Sequence, residues 1–418
     1  MTGSFGSFVA GAARAGRLVV QPRMGFSDPY RMRHGLERTK FAAACTVGTL
    51  TLDSYTRLGD HAAVRDALAA GVPLNGYPLV DLPVERTRAL LHGIADDTFP
   101  VQVRHGSSRP EHIVRAAAAV GLDATEGGPV SYCLPYGRTP LRESVARWAR
   151  GCELLAELAP PPRRPHLETF GGCLLGQLCP PGLLVAISLL EALFFVQHGI
   201  RSVSLSYAQQ TDSAQDERAV RALRRLAGEF LPADVDWHTV VYTYMGVFPG
   251  TPRGARLLLE DSARLAVRAG AERLIVKTVA EAQRIPTVEE NVRALERAAV
   301  AALLSDGATG PADPDSDVYA EARTFIEVTL GHSADVGRAL LTAFRRGHLD
   351  VPFCLHPDNA GRSRSTVDAA GRLRWVATGA MPVRPDAPPD RLMSSAALLR
   401  ALRAVADRFD HRPLETTR

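Results

Sequence analysis

The sequence predicts an α/β fold, a (βα)8 TIM barrel with a C-terminal appendage, and three observations carry that expectation. Short apolar runs alternate about eight times with longer helical patterns, as in a parallel sheet wrapped by helices. Several short runs end in Arg, Asn or Lys rather than in a Gly-rich phosphate loop. In a closed barrel such strand ends meet at one mouth, which favours the barrel over an open sheet. From Val351 onward the pattern dissolves into short polar segments broken by Gly361, Gly371 and Pro382.

Taken in order, Met1 to Gly16 is rich in small residues, with Arg14 its only charge, and reads as a tail rather than a signal peptide. Strands are expected at Leu18–Val20, Val47–Leu52, Pro73–Leu74, Val101–Val103, His166–Thr169, Ser202–Ser206, Thr239–Thr243 and Leu274–Thr278. Asp123–Glu126 is a further candidate, so the count is eight or nine. Helix patterns lie between them at His61–Ala70, Arg109–Val120, Leu183–His198, Ser213–Phe230 and Arg253–Ala269. In the first of these, Ala62, Val64, Ala67 and Leu68 fall at helical spacing. Pro160–Pro165 reads as a rigid connector and Gly310–Asp317 as a loop. One long helix pattern then runs to about Arg346, and a last helix lies near Leu392–Phe409. The expected organisation is a tail over 1–16, a barrel catalytic domain over 17–350 and an appendage over 351–418.

Composition narrows the function. Hydrophobic residues are 46% and charged residues 22% of the 418, which excludes a mostly disordered chain. A net charge of +4 gives no electrostatic reason to expect nucleic acid. The six cysteines are scattered without a C-x-x-C pair, so neither a structural zinc site nor a dithiol motif is expected. The most apolar run, Leu183 to Val196, is interrupted by Ser188 and Glu191 and is too short to span a bilayer. These features suit a cytoplasmic enzyme with reduced thiols.

Three sets of residues can carry chemistry. Arg23, Arg57 and Arg104 each follow an expected strand, and guanidinium grips carboxylate with paired hydrogen bonds. Three converging in one mouth suit a dicarboxylate, although any one alone is more often a surface ion-pair residue. The second set is the run from Glu126 to Tyr136. A carboxylate, two tyrosines and a Gly-rich approach can read an ammonium and a carboxylate together, or deprotonate an amine; the plainer alternative is a turn with packed aromatics. The third is Lys277 with Glu281 one turn later. Only two of the 49 basic residues are lysines, so a lysine at a strand end suggests that a compact ammonium is wanted. It suits a Schiff-base nucleophile or a contact to a cofactor sugar or phosphate, with a chance buried ion pair as the alternative. Asp236-Trp237-His238 opens like a D-x-H-x-x-G cobalt-ligand loop but has Val241 in place of the glycine, so His238 reads as a core histidine. No paired His spacing suggests a protein-bound metal. Cys133 lacks an evident base and reads as a packing residue.

These residues, in this order, resemble the large (epsilon) subunit family of glutamate mutase, also called methylaspartate mutase. The similarity runs from about Leu18 to Pro382. It rests on Gln21-Pro22-Arg23-Met24-Gly25, Leu52 to Arg57, Leu74 to Pro78, Val103 to Gly106, Glu126 to Tyr136, Val247-Phe248-Pro249, and Val276-Lys277-Thr278 with Glu281 and Ile285. The resemblance implies a barrel that works with a small cobalamin-binding subunit, the family's large subunits forming the homodimer core of a heterotetramer with adenosylcobalamin between the two kinds of chain. It implies that Arg23, Arg57 and Arg104 hold substrate carboxylates, and that Glu126, Tyr132, Tyr136 and His105 orient the amine and carboxylate. It sets Gly25, Asn75, Pro135, Phe248, Lys277, Glu281 and Ile285 against the cofactor. The implied reaction is a radical carbon-skeleton isomerisation of L-glutamate to L-threo-3-methylaspartate. The loop departs from the family pattern at Pro129, Cys133 and Leu134, which bears on fine substrate choice. The alternatives are a cobalamin mutase for another amino or 2-oxo acid, a Schiff-base lyase or aldolase using Lys277, and a non-catalytic scaffold for a cobalamin protein.

Overall fold

The computed structural model describes residues 4–135, 137–159, 163–171, 178–307, 316–387 and 393–412. Tyr136, part of the expected proline connector and most of the Gly310–Asp317 loop lie outside them.

Eight parallel strands form the sheet: β1 Val19–Pro22, β2 Gly48–Thr51, β3 Val101–Arg104, β4 Ala124–Gly127, β5 His166–Thr169, β6 Ser202–Ala208, β7 Asp236–Tyr242 and β8 Arg273–Val276. Their spatial order is β1-β8-β7-β6-β5-β4-β3-β2. The seam between β1 and β2 is closed by backbone bonds, from Val20 N to Cys45 O (2.9 Å) and from Thr51 N to Met24 O (2.9 Å). The sheet is therefore a barrel with helices around it, as expected.

Three sequence-based expectations need correction, the last of them at the N-terminal stretch described below. Pro73–Leu74 is not a strand. The segment runs past the mouth and touches the sheet only at Tyr77, whose N–H donates to Thr51 O at 2.9 Å. A two-residue run opened by proline cannot build a ladder. The strand before β5 is instead Ala124–Gly127, which settles the count at eight. The long pattern ending near Arg346 is two helices, Asp317–Leu330 and Val336–Arg346. Asp335 starts the second by accepting from Arg338 N at 2.8 Å, and so restarts the chain after the Gly331 turn.

The outer layer is unequal. Helix Pro181–Gln197 is buried nearly all round, because the Asp317–Leu330 and Val336–Arg346 helices cover its outer face. Its apolar character is thus that of an interior helix. No helix among the described residues is long and apolar enough to cross a membrane. The appendage contributes an antiparallel hairpin, β9 Arg364–Val367 with β10 Leu373–Ala377, and the helix Ser395–Asp410. That helix packs on Pro252–Ala269, where Asp410 accepts from the Gly250 and Thr251 amides at 2.9 Å each.

The stretch read as a tail carries a helix, Phe5–Arg14, that forms the floor of the barrel. Phe5 stacks on His166 with ring centroids 5.0 Å apart, and the Arg273 guanidinium lies 4.9 Å from the Phe5 ring centroid. Gly6 packs so closely on Ser202 that a Cβ would strike its hydroxyl. Above this floor the lumen is polar. Arg273 is fully buried and bonds to Glu168, Gln21 and, at 3.0 Å, Ser204. Gln21 also donates to Thr49 (2.9 Å) and Gln102 (2.8 Å). A barrel normally fills its centre with branched apolar side chains. Here buried charges stand in for them, and each is hydrogen-bonded, as burial of charge requires.

Candidate active site at the barrel mouth

Arg104 ends β3 and turns into the lumen, buried. Its Nε donates to Glu126 Oε2 at 2.6 Å, and its Nη2 reaches the Tyr242 hydroxyl at 3.2 Å. Glu126, on β4, takes a second bond on Oε2 from the Tyr242 hydroxyl at 2.9 Å and a bond on Oε1 from the Tyr132 hydroxyl. Burial works against the charge on Arg104, but Glu126, the two tyrosines and Glu168 outweigh it and hold the guanidinium protonated.

His105 follows and is also buried. It stacks on Trp148 with ring centroids 5.8 Å apart. Its Nδ1 accepts from Ser107 N at 2.9 Å, so in the neutral ring the proton sits on Nε2. Burial, with His112 and Arg57 nearby, pushes this imidazole down to about 3, so it stays neutral at working pH. Two donors here have no hydrogen-bond partner among the described residues: Arg104 Nη1 and His105 Nε2.

The Gly128–Ser131 turn that carries Tyr132 is held from behind by Glu191. That carboxylate accepts from Val130 N (2.9 Å), Ser131 N (2.9 Å) and the Ser131 hydroxyl (2.8 Å). Gly128 packs against it without room for a side chain. Cys133 is buried and donates to Thr139 O at 3.1 Å; burial pushes its thiol up to about 12, consistent with packing rather than reactivity.

Across the mouth the arrangement is looser. Arg23, after β1, pairs with Glu281 at 2.7 Å. Arg57 lies on the short helix Ser54–Leu58, capped by Asp53, rather than at the strand end itself, and its Nε donates to His105 O at 3.0 Å. A cavity of about 530 Å³ opens between them, lined among others by Gly25, Thr51, Asn75, Glu281 and Ile285. Thr51 Oγ1 is buried without a hydrogen-bond partner among the described residues, and Ile285 is an exposed apolar side chain at its edge. Asn75 Oδ1 accepts from Ser54 N at 2.9 Å. Gly25 lies against the Thr51 backbone, where a Cβ would clash. Lys277 follows β8, buried, with its ammonium 5.0 Å from the Phe248 ring centroid.

The structure thus gathers Arg104, His105, Glu126 and Tyr132 into one contacting group, with Arg57 joined to it through His105. It lines one cavity with Arg23, Arg57, Gly25, Asn75, Glu281 and Ile285. Pro135 lines a different cavity, about 420 Å³, between its own loop and the appendage. Sequence reasoning missed Tyr242, Glu168, Arg273 and Glu191. For the first three the available signal was a polar residue within a short barrel strand; for Glu191 it was a lone acid in the apolar helix Pro181–Gln197.

The family model for the methylaspartate mutase E chain matches residues 2–391. The chain belongs to the methylaspartate mutase E chain family. Its curated relatives include the glutamate mutase epsilon subunit of Escherichia coli O157:H7, 30% identical over 393 residues, covering 90% of this chain and 80% of that one. The subunit from Yersinia enterocolitica is 31% identical over 358 residues, with 82% and 74% covered. That from Haloarcula marismortui is 32% identical over 338 residues, with 78% and 68% covered. Methylaspartate mutase E chains are mutases, so the chain is an isomerase, and the family implies a cobalamin-dependent catalytic subunit. The cavity beside Arg23 suits that cofactor, because an orphaned hydroxyl, an amide and an exposed apolar side chain line one space at the mouth.

Proposed function

We propose that this chain is the catalytic subunit of a glutamate mutase that isomerises L-glutamate to L-threo-3-methylaspartate. The observation that carries the reading is the pair of buried donors without a partner among the described residues, Arg104 Nη1 beside the Glu126 carboxylate and His105 Nε2 on the next residue. Leaving such donors unsatisfied costs roughly 1–3 kcal/mol each, so the site is made for a ligand that supplies acceptors. Among the described residues Glu126 faces at most three donors, the Tyr242 proton being shared with Glu168, against about four acceptor positions on a carboxylate. One position remains for a ligand ammonium. An amino acid with a second carboxylate meets both demands, with Arg57 and Arg23 facing the shared cavity to hold that carboxylate. A 2-oxo acid would leave the open position on Glu126 unused.

In this reading Arg23, Arg57 and Arg104 hold carboxylates, His105 donates through Nε2, and Glu126 with Tyr132 and Tyr136 orients the amine. Gly25, Asn75, Pro135, Phe248, Lys277, Glu281 and Ile285 face adenosylcobalamin, the last three near its adenosyl and ribose end. When bound, that cofactor supplies the radical chemistry of hydrogen abstraction. The protein's own part is to clamp the substrate's charges while its carbon skeleton changes, and to keep water from the reacting carbons. A small cobalamin-binding subunit would cover the mouth, with this chain as the homodimer core of a cytoplasmic heterotetramer.

The test is reconstitution. The chain is mixed with a small cobalamin-binding subunit, adenosylcobalamin and L-glutamate, and the methyl doublet of 3-methylaspartate is followed by proton NMR. The doublet should appear only in the complete mixture. Its absence beside a known large subunit that turns over with the same partner, and again with the cognate small subunit, would overturn the assignment.

A further inference from the structure

Tyr242 stands at the end of β7, opposite Glu126. Its hydroxyl meets three groups: Glu126 Oε2 at 2.9 Å, Arg104 Nη2 at 3.2 Å, and Glu168 Oε1 from β5. A phenol has one proton to donate, and two carboxylates compete for it. Glu168 is in turn held from below by Arg273, and Gln102 and Ser204 donate to its Oε2 at 3.3 and 3.2 Å. Burial opposes the charge on Glu168, but Arg273 and Arg104 outweigh it and keep the carboxyl below its ordinary range. Order therefore passes upward through the lumen, from Arg273 to Glu168, to Tyr242, and to Glu126.

We propose that Tyr242 and Glu168 are positioning residues that hold Glu126 in the plane needed to receive a substrate amine. This rests on the reading of Glu126 as the amine partner. The carboxylate of Glu126 swings about its last side-chain bond unless its donors fix it. Tyr132, one of those donors, comes from a loop. Tyr242 comes from a seven-residue strand paired on both sides, so it gives the more rigid reference. The consequence is specific. Loss of the Tyr242 hydroxyl removes one bond from Arg104 Nη2, but Arg104 stays anchored through Nε to Glu126, so recognition of the amine weakens more than the grip on the carboxylates.

The experiment uses the complete chain with its small cobalamin-binding subunit and adenosylcobalamin. It compares KM for L-glutamate with the inhibition constant of glutarate, the same dicarboxylate without the amine. In Tyr242→Phe, KM for glutamate should rise about tenfold and the glutarate constant should stay within about twofold, as expected for one charge-assisted hydrogen bond. Glu168→Asp keeps the charge beside Arg273 but draws the oxygen away from Tyr242. It should move KM in the same direction by a smaller factor and leave glutarate unchanged. Equal rises for both ligands, or no change in either, would overturn the proposal. If Tyr242→Phe does not fold, as judged by circular dichroism, Glu168→Asp decides by the same criterion. A wild-type complex that ignores glutamate and glutarate alike overturns the substrate reading, and this inference with it. A wild type that binds glutamate in preference to glutarate, with variants that do the same, overturns the inference alone.

Discussion

Arg104 and Arg23 both leave barrel strands at the same mouth, yet their surroundings differ. Arg104 is buried, with Glu126 and Tyr242 fixing two of its nitrogens. Arg23 has a side chain 29% exposed and, among the described residues, one ion pair, to Glu281, itself 22% exposed. The β3–β4–β7 side is set before any ligand arrives, whereas the β1–β2–β8 side opens on a cavity of about 530 Å³. Rigid recognition of small charged groups gains from the first arrangement. On the proposed function, admission of a large cofactor gains from the second. The comparison teaches that a ring of like arginines can serve unlike tasks, according to how much of each is already paired.

The largest effect is expected from Arg104→Met. It leaves Glu126 in the lumen without its main counter-charge, which typically costs about 3–5 kcal/mol. Both the urea midpoint and kcat/KM should fall, the latter by about 10³-fold, since a charge-stabilising donor is lost as well. If stability were unchanged, the picture of a preset side would break. Arg57→Ala comes next. Turnover should drop by about 10²–10³-fold while the unfolding midpoint falls by less than in Arg104→Met, because Arg57 is half-exposed and its Nε bonds a backbone carbonyl. A matching loss of stability would erase the contrast between the two sides.

Glu281→Gln should be milder. The pair it breaks is partly solvated, so stability should change by less than about 1 kcal/mol. The concentration of adenosylcobalamin giving half-maximal activity should rise, and KM for glutamate should not. The smallest effect on turnover concerns the support behind the preset side, where the readout is a pH slope in stability. Burial raises the Glu191 carboxyl from 4.5 to about 7 despite its hydrogen bonds from the Ser131 and Val130 amides and the Ser131 hydroxyl. Between those pH values the unfolded chain has released the proton and the folded chain retains it. Stability from this group therefore falls as pH rises through that window. The difference in unfolding free energy between the wild type and Glu191→Gln, measured against pH, should show that slope and flatten above about 7.

The mouth was more legible in the sequence than the lumen below it. Arg104, His105 and Glu126 stand where short β-branched runs give way to polar residues, and strand-end chemistry is what barrel enzymes use. Tyr242 lies in the Thr239–Thr243 run and passes for a packed aromatic. Arg273 is one arginine in a chain that uses arginine almost everywhere. Glu168 was visible as a lone acid in the four-residue strand His166–Thr169, but only pairing across the barrel tells which cation it meets. Pro73–Leu74 reads as a strand and Asp123–Glu126 only as a further candidate because local propensity cannot count sheet partners. The tail reading of the first residues failed to anticipate a helix for a related reason. Phe5 and Val9 are sparse apolar residues, and only the open end of a closed barrel gives them something to cover.

The floor helix has a consequence for how the molecule is made. During synthesis Phe5–Arg14 leaves the ribosome before any strand, but its seats on His166, Ser202 and Arg273 come from β5, β6 and β8. It must wait, uncovered, while more than half of the chain emerges. Contacts so distant in sequence form late and slowly, and an apolar face that waits is exposed to wrong partners. Seating of this helix on the finished barrel is thus a natural last step of maturation, and a bulky fusion joined to the N-terminus would act first on yield rather than on catalysis.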